Sequence, residues 1–386
     1  MNWETVEIGQ LGEVITGNTP PRKNPELYGD YIPFIKPTDM EIDRRYTPNP
    51  EECYSELGYD KYRKSLIPKG ATCIVTIGSI GKKMTQAMTD CFINQAVNAV
   101  IPNHEYDNDY VYYLLKNNLD KVKGLDSGTS SGRENVSKSS FSSIEVKVLK
   151  HLPTQRKIAS ILSAYDNLIE NNLKRIKLLE LSANISYAKF KPVEKLALQS
   201  KAEYLGRGVT PKYEEGSRFY AINQKANKGS MLDYSQFKSL DSKLEVPIEK
   251  YAKRGDLLIN SLGEGTLGRV HFYTGKSDEF AVDQHMSIFR TSEIHYTFYL
   301  YQFLSSSYGQ GLLDSLKKGG TNMTMLNISD LRQLEILFPN ELYLKELWSI
   351  CEPIFRLKQT LINQNILLGE ARDILLPRLM NGDIEV

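Results

Sequence analysis

One order of landmarks occurs twice in this chain, and a duplicated sequence can only fold into two similar bodies or one symmetric one. Residues 67–82 read IPKGATCIVTIGSIGK, and DCFINQAVNAVIPN follows after a turn. Residues 251–269 read YAKRGDLLINSLGEGTLGR, and EFAVDQHMSIFRTS follows in the same way. Gly70 thus pairs with Gly255, Gly81 with Gly268, and Gln95 with Gln284. The match continues through DYVYYLLKNN and HYTFYLYQFL, both helical in pattern and rich in aromatics, and then through the polar loops SGTSSGRENVS and KGGTNMTMLNIS. Short apolar strands, IEVKVL and LRQLEILF, close each copy before Pro153 or Pro339. Upstream, GNTPPRKNPELYGDYIPFIKPTDM loosely matches GRGVTPKYEEGSRFYAINQKANKG. Strand-like runs, Gly-punctuated turns and one helix per copy predict two mixed α/β, or α+β, domains.

Each copy runs into a segment of a different kind. From Thr154 to about Lys191 there is neither Gly nor Pro, and Ile158, Leu162, Tyr165, Ile169, Asn172, Ile176 and Leu179 are spaced alternately four and three. That heptad predicts a long helix with one narrow seam, with Asn172 as the polar interruption that fixes register. The second segment places Leu347, Ile350, Ile354, Leu357, Leu361, Gln364, Leu368, Ala371 and Leu375 on a similar seam, with Pro353 and Gly369 as weak points. The competing reading is two amphipathic helices, each packed on its own domain. Mutual antiparallel pairing is preferred because the seams are narrow and the segments match in length and position. About 38 helical residues would span roughly 57 Å.

The expected organisation is therefore a first domain over 1–152, a central long helix over 153–192, a second domain over 193–338, and a distal long helix with its tail over 339–386. The two domains would be related by a pseudo-twofold axis, with the helices forming an antiparallel coiled coil.

This arrangement resembles the specificity subunit of bacterial type I restriction-modification systems along the whole chain. The residues that carry the likeness are PTQRKIASILSAYDNLIENN at the start of the first helix, the GRGVTPKYEEG and AINQKANKG entry to the second domain, and the C-terminal ILLPRLMNGDI. The paired Gly turns and the Asn-Gln and Asp-Gln strands add to it. The resemblance implies a chain without a catalytic centre that reads the two halves of a split double-stranded DNA target with two target-recognition domains. It also implies that the helices set the spacing and dock two methyltransferase subunits, which would bring the S-adenosylmethionine, and that motor-nuclease restriction subunits join for cleavage. No cofactor or metal is expected on this chain.

Charge neither demands nor forbids this reading. There are 48 Lys and Arg against 47 Asp and Glu, a net charge of +1, so any DNA contact has to come from local patches or from a partner. The four cysteines form no CxxC pair, no run reaches the length of a membrane span, and Met-Asn-Trp-Glu-Thr is no secretory signal, so a reduced cytoplasmic protein is expected. GEGTLG at 263–268 fits the dinucleotide pattern, but RVHFYTG after it reads as a strand and not as a helix, so a hairpin turn is expected there. GSIGKK lacks the first Gly and the Ser or Thr of a phosphate loop, and NTPP is broken as a methyltransferase motif.

Phosphate contacts call for Lys and Arg, and base reading calls for side chains freely presented on loops. The DNA-binding candidates are Lys36 and Thr38 with their rough counterparts Gln224 and Lys225; Lys82, Lys83 and Arg269 beside the Gly turns; and Arg133 and Asn322 in the third loops. A solvated loop residue is the alternative at each position, and a structural role is the alternative for Gln95 and Gln284. Two other functions stay open at this stage: a coiled-coil scaffold or adaptor without a DNA role, and an enzyme using the GEGTLG turn.

Overall fold

The structure, a computed structural model, describes residues 3–125, 135–189, 193–263, 265–318 and 324–386. The chain divides into two compact units: unit 1 is Met1–Asn172 with Gln364–Val386, and unit 2 is Leu173–Asn363. Each unit contains one globular head and half of each long helix.

In unit 1, β1 (Trp3–Glu7) pairs antiparallel with β10 (Glu145–Leu149) and closes the head on itself. A four-stranded sheet has the order β2 (Gly12–Thr16), β9 (Val97–Pro102), β6 (Thr72–Val75), β7 (Met84–Gln86). The inner strand β6 is buried at all four of its residues, as its unbroken Thr-Cys-Ile-Val run requires. A second sheet runs β3 (Tyr28–Gly29), β5 (Glu52–Tyr54), β4 (Ile32–Ile35), β8 (Phe92–Ile93), with β4 and β8 parallel.

Unit 2 repeats this plan. β11 (Glu194–Ala197) pairs with the last strand, β21 (Glu335–Phe338), in an antiparallel closure. Its four-stranded sheet runs β12 (Tyr204–Arg207), β18 (Met286–Arg290), β15 (Leu257–Asn260), β16 (Val270–Phe272), strand for strand the order found in unit 1. The smaller sheet is β14 (Lys238–Ser239), β13 (Tyr220–Ile222), β17 (Ala281–Val282), again with one parallel pair. A short hairpin, β19 (Lys317–Lys318) and β20 (Met325–Leu326), belongs to this unit alone among the described residues. The duplication is thus one of topology as well as of sequence, and the fold class is mixed α/β.

The central helix runs Leu152–Ala188 and the distal helix Glu341–Asn381. A shift of 189 residues superposes their burial: Ile158 on Leu347, Leu162 on Cys351, Asn172 on Leu361 and Ala183 on Arg372 are buried in both members. Within unit 1 the two helices run antiparallel and meet where Asn172 Nδ2 donates to Asn365 Oδ1 at 2.9 Å. Within unit 2 the counterpart positions, Ile176 and Leu361, pack together with Ile362. The helices also enter the head cores. Ile158, Ala159, Leu162, Leu376 and Leu379 join the core of unit 1, and Ala183, Leu344, Leu347 and Phe355 join that of unit 2. Pairing with each other and packing on a head, which the sequence posed as alternatives, occur together.

On the central helix Ile158, Leu162, Asn172 and Ile176 are buried and Tyr165, Ile169 and Leu179 half-buried. The distal seam needs correcting. Leu347, Leu361, Ile354 and Leu368 are buried or half-buried, but Ile350 and Leu357 are 42% and 40% exposed and Gln364 is also exposed. Their places are taken by Cys351, Lys358 and Asn365, and Phe355 is buried more deeply than its neighbour Ile354, because the helix steps four residues after Leu347 and not three. An apolar count misses this step since the buried face carries the charged Lys358 and Arg372.

Candidate nucleic-acid interface

Two loops of each head carry most of the candidates, the one that follows β4 or β13 in the smaller sheet and the Gly turn between β6 and β7 or β15 and β16 in the larger sheet. In unit 1 the turn after β4 is held by Asp39, whose carboxylate accepts from Lys36 N at 2.8 Å and Glu51 N at 3.2 Å. Lys83, past the Gly turn between β6 and β7, donates from Nζ to Pro37 O at 2.8 Å. That bond brings Lys36, Thr38, Lys82 and Lys83 into one neighbourhood, with Thr38 and Lys82 exposed. Lys36 is not free: its ammonium lies 2.9 Å from Glu51 and 3.2 Å from Glu52, and Glu52 also binds Arg22. Burial draws its proton affinity down, but those carboxylates outweigh it and leave the affinity raised. Lys36 and Lys83 therefore shape the loops, and Thr38 and Lys82 are the side chains left to present outward.

Unit 2 uses different residues for the same tie. Asn223 caps the turn by accepting from Lys225 N at 2.8 Å and Ala226 N at 3.2 Å. Asn260 donates to Gln224 O at 2.9 Å, and Arg269 donates from its guanidinium to Asn227 O at 2.8 Å. Gln224, Lys225 and Arg269 are thereby gathered beside the Gly-rich turn, which joins antiparallel β15 to β16 as a hairpin and opens no helix. Lys225 is exposed, and Gln224 and Arg269 are half-buried. Arg133 and Asn322 lie outside the described residues.

One arrangement is shared by both heads and was not singled out from the sequence. Thr19 donates its hydroxyl to Gln95 Oε1, and Thr210 donates to Gln284 Oε1 at 2.9 Å. Both threonines stand in a Gly-x-Thr-Pro stretch, and both glycines are required by close approach. A Cβ on Gly17 would lie 2.1 Å from Ile93 O, and one on Gly208 would lie 2.1 Å from Val282 O. With the amide oxygen of each Gln engaged, it is the N–H groups that remain as donors. The signal was present in the loose upstream match, GNTPP against GVTPK.

The heads differ where they meet the helices. In unit 1 Arg372 is 1% exposed and lies 2.5 Å from the buried carboxylate of Asp166, which also accepts from Tyr113 OH at 2.5 Å. Arg372 reaches Asp43 O at 3.3 Å as well, and Arg44 makes a two-pronged bond to Glu170 at 2.9 and 3.1 Å. Lys116 stands nearby, its proton affinity lowered by burial and then by Arg372. The 189-residue shift carries Asp166, Arg372, Tyr113 and Lys116 onto Phe355, Ala183, Gln302 and Ser305. In unit 2 those four line a cavity of about 420 Å³, with Arg269 at its wall. Here the charged pair is Lys358 with Glu180 at 2.7 Å. Among the described residues there is no group of three or more metal-ligating side chains and no helix long and apolar enough to cross a membrane.

Against this geometry, residues 1–181 match the type I restriction modification DNA specificity domain. The chain is 27% identical over 436 aligned positions to the type I restriction enzyme MjaIX specificity subunit of Methanocaldococcus jannaschii, a match that covers 100% of this chain and 94% of that one. It is 30% identical to the type I restriction enzyme HindI specificity subunit of Haemophilus influenzae over 185 residues, 46% of this chain and 39% of the other. The crystal structure of a type I restriction-modification system S subunit from M. genitalium superposes with a TM-score of 0.57 at 16% identity, covering 98% of this chain and 96% of that one. This last likeness is one of fold.

Proposed function

We propose that this chain is a specificity subunit of a type I restriction-modification system, as its likeness to such subunits suggests, and that it reads a split double-stranded DNA target, one half with each unit. The observation that carries the reading is a shared frame with unlike readers. Both heads have the same strand order in the larger sheet and the same Thr–Gln bond, while the residues on equivalent turns differ, with Thr38 and Lys82 exposed in one and Lys225 exposed beside a half-buried Arg269 in the other. Two frames with different side chains suit two different half-sites.

The chain itself carries no reaction in this proposal. Methylation would belong to two copies of a methyltransferase subunit that brings S-adenosylmethionine, and cleavage to restriction subunits that join them. The helices support two identical partners. Leu168, Leu367 and Ile374 are exposed in unit 1, and the 189-residue shift carries them onto Leu357, Leu178 and Ile185, which are exposed in unit 2. Each unit thus shows the same apolar patch on its helix pair, as docking two copies of one protein requires. A scaffold without a DNA role would need the patches but not the matched reading loops.

The test is to co-express the chain with an adenine methyltransferase of a type I system and map the methylated adenines. One motif in two parts, separated by unread bases, is expected. Methylation without a motif, or with one continuous motif, would overturn the proposal.

A further inference from the structure

Unit 1 has a concave surface of about 790 Å³ between the start of its larger sheet and the segment that follows the helix Glu56–Tyr62. Lys61, Arg63, Lys64 and Lys138 line it, against only two acids, Glu13 and Asp60. All four basic residues are exposed, and none has a carboxylate partner among the described residues. Two are steadied by rings, Lys61 at 5.9 Å from the centre of Tyr62 and Arg63 at 5.8 Å from that of Tyr59. The wall is tied to the Gly-x-Thr-Pro stretch, where Asn18 Nδ2 donates to Ser65 Oγ at 3.0 Å.

The second head serves as an internal control. Ile67 N donates to Cys91 O at 2.9 Å and Ala252 N donates to Phe280 O at 2.9 Å, which fixes these segments as equivalents. Lys61, Arg63 and Lys64 then fall on Val246, Ile248 and Glu249. Lys138 follows the helix cap Ser137, and its counterpart after the cap Asn327 is Ile328. Four positive charges in one head stand where the other has three aliphatic residues and an acid. In a chain with a net charge of only +1, that is a concentrated and one-sided feature.

We propose that this cleft grips the phosphate backbone beside the first half-site, so that unit 1 supplies the larger share of salt-dependent affinity. The proposal rests on the reading that the chain binds DNA, and it adds that the two halves of the target are held by unequal means. Grooved cationic surfaces of this kind take a backbone without regard to sequence, because each neutralised phosphate releases a counterion.

The full-length chain carrying Lys61→Gln, Arg63→Gln and Lys64→Gln tests it, with a fluorescent random-sequence duplex of about 40 base pairs titrated from about 50 to 200 mM salt. The slope of log K against log salt should become shallower by about 0.9 for each phosphate that is no longer neutralised, and binding should weaken roughly tenfold per phosphate at about 0.1 M salt. Lys174→Gln, Arg175→Gln and Lys177→Gln, which remove the same charge from exposed positions of the central helix, should leave the slope close to wild type. Equal effects from the two triple variants, or no effect from the first, would overturn the cleft while leaving DNA binding intact. A wild-type chain that fails to bind the duplex at all would overturn the DNA reading, and the cleft with it.

Discussion

Arg372→Ala should lower the stability of unit 1 by about 3–5 kcal/mol, the cost of removing one partner from a buried ion pair. Asp166 is 2% exposed, and its carboxylate would be left with the Tyr113 hydroxyl alone. Asp166→Ala should cost somewhat less, because the guanidinium keeps Asp373 at 2.9 Å and the carbonyl of Asp43. Unit 2 shows the alternative solution, with Phe355 and Ala183 at the equivalent positions. The double variant Asp166→Phe, Arg372→Ala copies that solution and removes the uncompensated charge. It should recover much of the stability lost by Arg372→Ala, since exchanging a buried pair for apolar packing is often near neutral. Urea unfolding of the three variants measures this. A loss below about 1 kcal/mol for Arg372→Ala would mean that the pair is hydrated and weak.

A second large effect concerns the DNA target. Inserting one heptad after Asn172 and one before Gln364 adds two turns to each long helix at the point where the units divide. Seven residues preserve the seam phase and lengthen each helix by about 10.5 Å. At about 3.4 Å per base pair that corresponds to roughly three base pairs. The methylated motif should keep both half-sites and lengthen its unread spacer by about three. Altered half-sites at unchanged spacing would refute the helices as a ruler. Inserting in one helix alone should abolish methylation, because the Asn172–Asn365 and Ile176–Leu361 contacts could not both form.

The repeat, the two long helices and the hairpin nature of GEGTLG were legible because each is written in local pattern: Gly at strand ends, heptads without breakers, and a strand after the turn. The distal seam was legible only in part. Heptad counting follows apolar residues, and here Lys358 and Arg372 occupy the inner face because Glu180 and Asp166 neutralise them there. Those partners lie far away in sequence, so no local count could reveal them. Lys36 and Lys83 looked like free loop cations for the same reason; Glu51, Glu52 and the Pro37 carbonyl engage them only once the chain is folded. The Thr–Gln bond joins positions 76 residues apart in one head and 74 in the other, although both of its ends lie in stretches that the repeat already aligned. The basic cleft is not legible in the sequence because Lys61, Arg63 and Lys64 lie at and just past the end of a short helix and become a group with Lys138 only in the fold.

The most direct measurement is the methylome of a strain in which residues 173–363 are exchanged for the counterpart from another specificity subunit and expressed with the same methyltransferase. One half of the recognised motif should change, and the half read by unit 1 should stay as it was. A motif changed in both halves, or in neither, would contradict the division of reading between the two units.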